Sequence, residues 1–159
     1  MKKLILSLSL FIFSTQAQAQ DNLAGGRLGF TTMINFAAGG ASAVMFGPGF
    51  FYQRSLGSNV AVGLNFDFHF GTYTLINIEP RIDYFPKATF DGFHIGSKIG
   101  ILSTLGGAGI NLGVNLGYMF QVANNLKIDL GFAPGMSFAF AGGGGSLSLI
   151  PVAGIGYAF

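Results

Sequence analysis

The sequence predicts an all-β fold: an eight-stranded antiparallel up-and-down transmembrane β-barrel, preceded by a cleaved signal peptide. Three observations carry that prediction. Apolar residues alternate with small or polar ones along nearly the whole chain; half of the 159 residues are hydrophobic and only 9% charged, with 26 glycines and 18 phenylalanines; and the pattern runs to the last residue, Phe159. Period two is the signature of strands with two different faces, and helical periodicity is absent after the N-terminal segment.

That first segment reads MKKLILSLSLFIFSTQAQAQ. Lys2 and Lys3 precede an apolar run from Leu4 to Phe13, and Ala17 and Ala19 form an A-x-A-type cleavage site. This is the order of a secretory signal peptide, and the run falls short of the ~20 apolar residues a spanning helix needs. Residues 1–19 are assigned to the signal and 20–159 to one barrel domain. Cleavage removes two of the eight basic residues, leaving six Lys and Arg against six Asp and Glu. A formally neutral chain offers no basic patch, so no nucleic-acid partner is expected. With no cysteine the exported chain has no disulfides. No later segment approaches the ~18 consecutive apolar residues of a transmembrane helix, which excludes a helical membrane protein.

Clusters of Gly, Pro, Asn and Asp divide the alternation into eight strands, at about 26–37, 43–54, 59–70, 74–85, 92–103, 109–121, 125–140 and 147–159. In VAVGLNFDFHF the even positions are Val60, Val62, Leu64, Phe66, Phe68 and Phe70, and the odd ones Ala61, Gly63, Asn65, Asp67 and His69. LINIEPRIDYF repeats the scheme, with Asn77, Glu79, Arg81 and Asp83 on the polar side. Each strand reaches the ~9 to 11 residues that a tilted strand needs to cross a bilayer, and an even number of strands suits a bacterial barrel.

Alternation does not say which face points inward. A dozen phenylalanines on one face, from Phe30 to Phe140, are too bulky for an eight-stranded interior, whereas the other face carries small residues such as Gly47, Gly49, Gly96 and Gly100. The charges Arg27, Asp67, Glu79, Arg81, Asp83, Lys98, Lys127 and Asp129 share the glycine face, and Arg54 at a strand end is the exception. These charges are too few to hydrate an exterior, yet they balance in sign inside a narrow lumen. The bulky face is therefore read as lipid-facing and the polar face as lumen. Closure follows, because an open sheet edge in hydrocarbon costs several kcal/mol per unpaired backbone group.

These features resemble the small eight-stranded outer-membrane β-barrels of Gram-negative bacteria, such as OmpX and the membrane domain of OmpA. The sharpest element is the ending, where Gly154, Tyr157 and Phe159 match that family's assembly signal. The resemblance implies a monomeric, porin-like or OmpA-like protein of the cell outer membrane, in contact with outer-membrane lipid and lipopolysaccharide and inserted by the barrel-assembly machinery. It implies a structural or envelope-related role and no enzymatic activity. No peptidoglycan-binding domain is expected beyond the barrel. The outer loops, near Gly39-Gly40, Thr72, Gly106-Gly107 and Ala141 to Ser146, are short for the family and offer little surface for adhesion. Aromatic girdles are expected from Tyr52, Tyr73, Tyr84, Phe85, Phe93, Tyr118, Phe120 and Tyr157.

The candidate site is the lumen set: Arg27, Asp67, His69, Glu79, Arg81, Asp83, His94, Lys98, Lys127 and Asp129. A turn over Pro86 to Asp91 would set Asp83 opposite His94 and Glu79 opposite Lys98, building a plug of ion pairs; a narrow channel or a proton relay is the alternative. Asp67 and His69 suit an oriented imidazole, but Ser42, Ser103 and Ser137 are not tied to it as nucleophile. His69 and His94 fall toward opposite rims, and no metal or other cofactor is expected. Pro48, Pro80, Pro134 and Pro151 fall inside strands, where each removes a ladder hydrogen bond. They mark a bulge or a strand break, or else weakened pairing between the last two strands that would admit lipid sideways, as in lipid-modifying barrel enzymes.

Overall fold

A computed structural model of the chain describes residues 21–36, 42–104, 107–140 and 144–159. The signal peptide, the Gly39-Gly40 turn, Gly106 and the start of the Ala141 loop lie outside these residues. Among the described residues ten strand segments occur: β1 Asn22–Asn35, β2 Ser42–Ser55, β3 Val60–Gly71, β4 Leu75–Tyr84, β5 Gly92–Thr104, β6 Gly107–Gln121, β7 Leu126–Phe132, β8 Gly135–Ala139, β9 Gly145–Leu149 and β10 Pro151–Ala158. All pair antiparallel with their neighbours, and β10 and β9 both pair with β1 to close the ring. Closure reaches the chain ends, where Asn22 and Phe159 exchange backbone hydrogen bonds of 3.0 and 2.9 Å.

Segments β7 and β8 form one stave of the wall, and β9 and β10 another, so the barrel has eight staves. The interruptions are made by proline rather than by a bulge. On β6 the register runs from Leu116↔Phe132 to Gly113↔Gly135 without a slip, and on β1 from Gly29↔Val152 to Thr32↔Leu149. Val114 N–H donates to the Pro134 carbonyl at 3.0 Å, so the bond that Pro134 cannot return is one to β6. Pro151 keeps its pairing with Phe132, and its missing bond lies on the β1 side. Between these two staves Ala133 N–H donates to the Ile150 carbonyl at 2.8 Å. The seam between the last two staves thus stays closed, and weakened pairing at Pro134 and Pro151 does not open it. Pro48 and Pro80 likewise interrupt only the β3 and β5 sides of their strands, with register kept.

Alternation sets the two surfaces. In β2, Ala43, Met45, Gly47, Gly49, Phe51 and Gln53 are buried, whereas Val44, Phe46, Pro48, Phe50 and Tyr52 are exposed. In β4 every second residue from Leu75 to Asp83 is buried and every residue between them exposed. The exterior is a continuous belt of Phe, Ile, Leu and Val, including Phe46, Phe50, Ile82, Ile99, Ile101 and Ile155. Soluble monomers rarely show apolar patches above a few hundred Å². Tyr52, Tyr84, Phe93, Tyr118, Phe120 and Tyr157 stand exposed toward the end that holds the termini, and Tyr73 toward the other. Phe85 is the exception to the expected girdle: it is fully buried inside the barrel.

Candidate functional site: the barrel lumen

The waist of the lumen is a layer of ion pairs supplied by alternate residues of β1, β3, β4 and β5. Arg27 Nε donates to Asp67 Oδ1 at 2.7 Å, its Nη2 pairs with Asp67 Oδ2, and the same Nη2 reaches Glu79 Oε2 at 3.4 Å. Glu79 Oε1 accepts from Lys98 Nζ at 3.2 Å, Asn77 Nδ2 at 2.5 Å and Asn111 Nδ2 at 3.1 Å. Two cations and two carboxylates thus form one chain, Asp67–Arg27–Glu79–Lys98, with no net charge.

A second cluster lies nearer the termini. Asp83, fully buried, accepts from Arg81 Nε at 2.5 Å, Gln53 Nε2 at 2.6 Å and Asn115 Nδ2 at 3.2 Å. His94 bridges onward, with Nδ1 3.6 Å from Asp83 Oδ1 and Nε2 2.9 Å from Asp129 Oδ1. Its ring packs at 5.1 Å from that of Phe85. Lys127 donates to Gln121 Oε1 at 3.0 Å. Pairing on this scale is a requirement, because an isolated ion in a low-dielectric interior costs several kcal/mol.

Apolar layers lie beyond the ions at both ends. Toward the termini, Leu23, Phe51, Ala61, Phe85, Phe90, Met119 and Ala158 form one cluster. The β4–β5 turn folds beneath the barrel to contribute to it: Phe85 and Phe90 meet edge to face at 5.8 Å, and Phe90 (φ 62°) and Gly92 (φ 79°) adopt left-handed backbone to make the turn. Toward the opposite end, Met33, Ala43, Met45, Leu75 and Leu102 form the other layer.

No protein-family model matches the chain, and no curated protein matches it by sequence. Solved structures do match. Neisserial surface protein A superposes with a TM-score of 0.71 at 16% identity, over 90% of this chain and 100% of that one. The attachment invasion locus protein Ail of Yersinia pestis superposes with a TM-score of 0.54 at 13% identity, over 87% and 99%. The chain has the fold of the small eight-stranded outer-membrane barrels.

Within that barrel, all ten residues of the lumen set occupy inward positions. Their pairing differs from the sequence expectation. The β4–β5 register sets Asp83 opposite Gly96 and Arg81 opposite Lys98, two residues away from the expected one, because the turn spends its residues on the inward-folded Phe85 and Phe90. The contacts Asp83–His94 and Glu79–Lys98 nevertheless form, diagonally across the tilted strands. Asp67 does not orient His69; its carboxylate is held by Arg27, and His69 Nδ1 pairs with Thr31 Oγ1 at 2.8 Å. Ser42 and Ser103 are exposed on the outer face, and Ser137 is buried on the inner one. Among the described residues no group of three or more His, Cys, Asp or Glu is placed to hold a metal. Gly154 lines the lumen, close to the Phe51 ring, while Tyr157 and Phe159 point outward.

Sequence reasoning placed Asn77 on the polar face without including it in the candidate set, and passed over the other neutral members of the network, Gln53, Asn111 and Asn115, and both apolar end layers. Strand parity would have found most of them, since Phe51, Gln53, Met33, Met45 and Leu102 all fall on the glycine-rich face. Phe90 sits in a turn, where alternation gives no signal.

Proposed function

We propose that this protein is an integral outer-membrane barrel with a closed lumen and a structural or envelope-related role, without catalytic activity. The observation that carries the reading is the layering: a charge-balanced ion network held between two apolar clusters, inside a wall whose outer face is Phe, Ile and Leu. Such an exterior suits hydrocarbon, and an interior filled by side chains is what an eight-stranded barrel accommodates. An ion crossing the lumen would have to pass one apolar layer, displace paired charges at the waist and then pass the other apolar layer. The short outer turns support an intrinsic role in the envelope over adhesion.

Planar-bilayer recording of the refolded mature chain tests this. The expected result is no stepwise conductance above the lipid baseline; reproducible ohmic steps would favour the narrow-channel reading instead. Incubation with labelled outer-membrane lipids is expected to give no turnover.

A further inference from the structure

The end of the barrel opposite the termini is a cup lined mainly by apolar and small residues, with a few hydroxyls and amides among them. Its cavity of about 390 Å³ falls in the size range of small-molecule sites. Met33, Leu75 and Leu102 form one side, above the apolar layer that closes the lumen. The facing wall, from β6, β8 and β9, is built of small residues, Ala108, Ala139 and Gly145 among them, and carries two hydroxyls at the cavity, Ser137 and Ser146; Asn111 and Ser148 lie on the same inner face beside them. The Ser137 hydroxyl is the telling group. It is 5% exposed, lines the cup, and has no hydrogen-bond partner among the described residues; Ser148 Oγ and Asn111 Oδ1 behind it are likewise unpartnered. A buried polar group without a partner costs free energy, which a ligand supplying a hydrogen bond would recover.

Among the described residues the lining contains no Asp, Glu, Lys, Arg or His. Tyr73 at the rim donates to Met33 Sδ at 3.4 Å, and partial burial pushes its phenol pKa up, so it too is uncharged at neutral pH. A charged ligand would lose its hydration there with nothing to replace it.

We propose that the cup binds an uncharged amphiphile, a medium-length alkyl or acyl chain carrying a hydroxyl, ester or amide, with the chain against Met33, Leu75 and Leu102 and the polar group on Ser137. The proposal stands on the fold and holds whether or not the lumen conducts.

The methionines make it testable. The mature chain has four methionines: Met33 lies in the cup, Met45 in the apolar layer beneath it, Met119 in the buried cluster at the far end, and Met136 on the outer face. The whole mature chain, labelled at the methionine methyl carbons and refolded in lipid nanodiscs, is titrated with decanol and, separately, with decane. Decanol is expected to shift Met33 saturably and leave Met119 unchanged, while Met136 drifts without saturation as the alcohol enters the bilayer. Decane is expected to bind roughly fivefold more weakly, the value of one net hydrogen bond. Ser137→Ala, checked for folding by heat-modifiable gel migration, is expected to erase that difference while leaving the decane affinity unchanged. A Met33 response that never saturates, equal affinity for the two probes, or a preference for decanol that survives Ser137→Ala would each overturn the proposal.

Discussion

The waist and the ends of the lumen are filled by opposite chemistries. At the waist, Arg27, Asp67, Glu79 and Lys98 bury four formal charges in one hydrogen-bonded chain. At the ends, Phe51, Phe85, Phe90 and Met119 on one side and Met33, Met45, Leu75 and Leu102 on the other bury none. The order of these layers matters. Apolar ends keep water out, and a dry interior strengthens the attraction between paired ions while making any unpaired one expensive. Reversing the order would leave the ions screened at the mouths and an apolar plug at the centre with no polar network to fix the register.

The comparison breaks most visibly at Asp83. Replacing it with Ala leaves Arg81, Gln53, Asn115 and His94 without their common acceptor. Removing one member of a buried ion pair costs about 3–5 kcal/mol, so urea unfolding of the refolded barrel is expected to shift by that amount. An unshifted midpoint would mean that the cluster around Asp83 is hydrated. Phe90→Ala probes an end layer instead. It removes a large, fully buried ring that packs on Phe85, and a loss of about 3 kcal/mol is expected from the cavity. Phe90→Ala should also admit small polar solutes further into that mouth than Asp83→Ala does, since it opens the apolar layer itself.

Glycines sharpen the contrast at the smallest scale. A Cβ on Gly96 would strike the Asp83 carboxylate and the Ile82 carbonyl, whereas one on Gly26, facing outward, would meet only the Gly49 carbonyl at 3.9 Å. Gly26→Ala is accordingly expected to change stability by no more than ~0.5 kcal/mol, and Gly96→Ala to lower it clearly, in the same urea titration.

Much of this architecture is legible in the sequence because a barrel wall imposes period two on every residue of every strand. The orientation of β2 and β4, the inward charges and the positions of the described turns after β2, β3 and β4 and before β7 follow from parity and from the Gly, Asn and Pro punctuation. What parity cannot supply is register. The β4–β5 offset depends on Phe90 and Gly92 taking left-handed backbone and turning Phe85 inward, a local conformation with no alternation to betray it. The prolines show the same limit. Pro134 and Pro151 are visible as interruptions, yet which neighbour loses its hydrogen bond depends on the alternation of ladder bonds across three staves. The partner of His69 was hidden for a similar reason: Thr31 is 38 residues away in sequence and one polar side chain among many on the inner face.

Everything in the account turns on which face meets lipid, and two adjacent residues decide it. Phe50 is 62% exposed on the outer surface and Phe51 is 7% exposed inside the apolar layer. The chain has no tryptophan, so a single Trp introduced at either position reports its surroundings without background. In bilayers whose acyl chains carry bromine, fluorescence of Phe50→Trp is predicted to be strongly quenched and that of Phe51→Trp to be nearly unaffected. Equal quenching at both positions, or quenching at Phe51→Trp alone, would contradict the account.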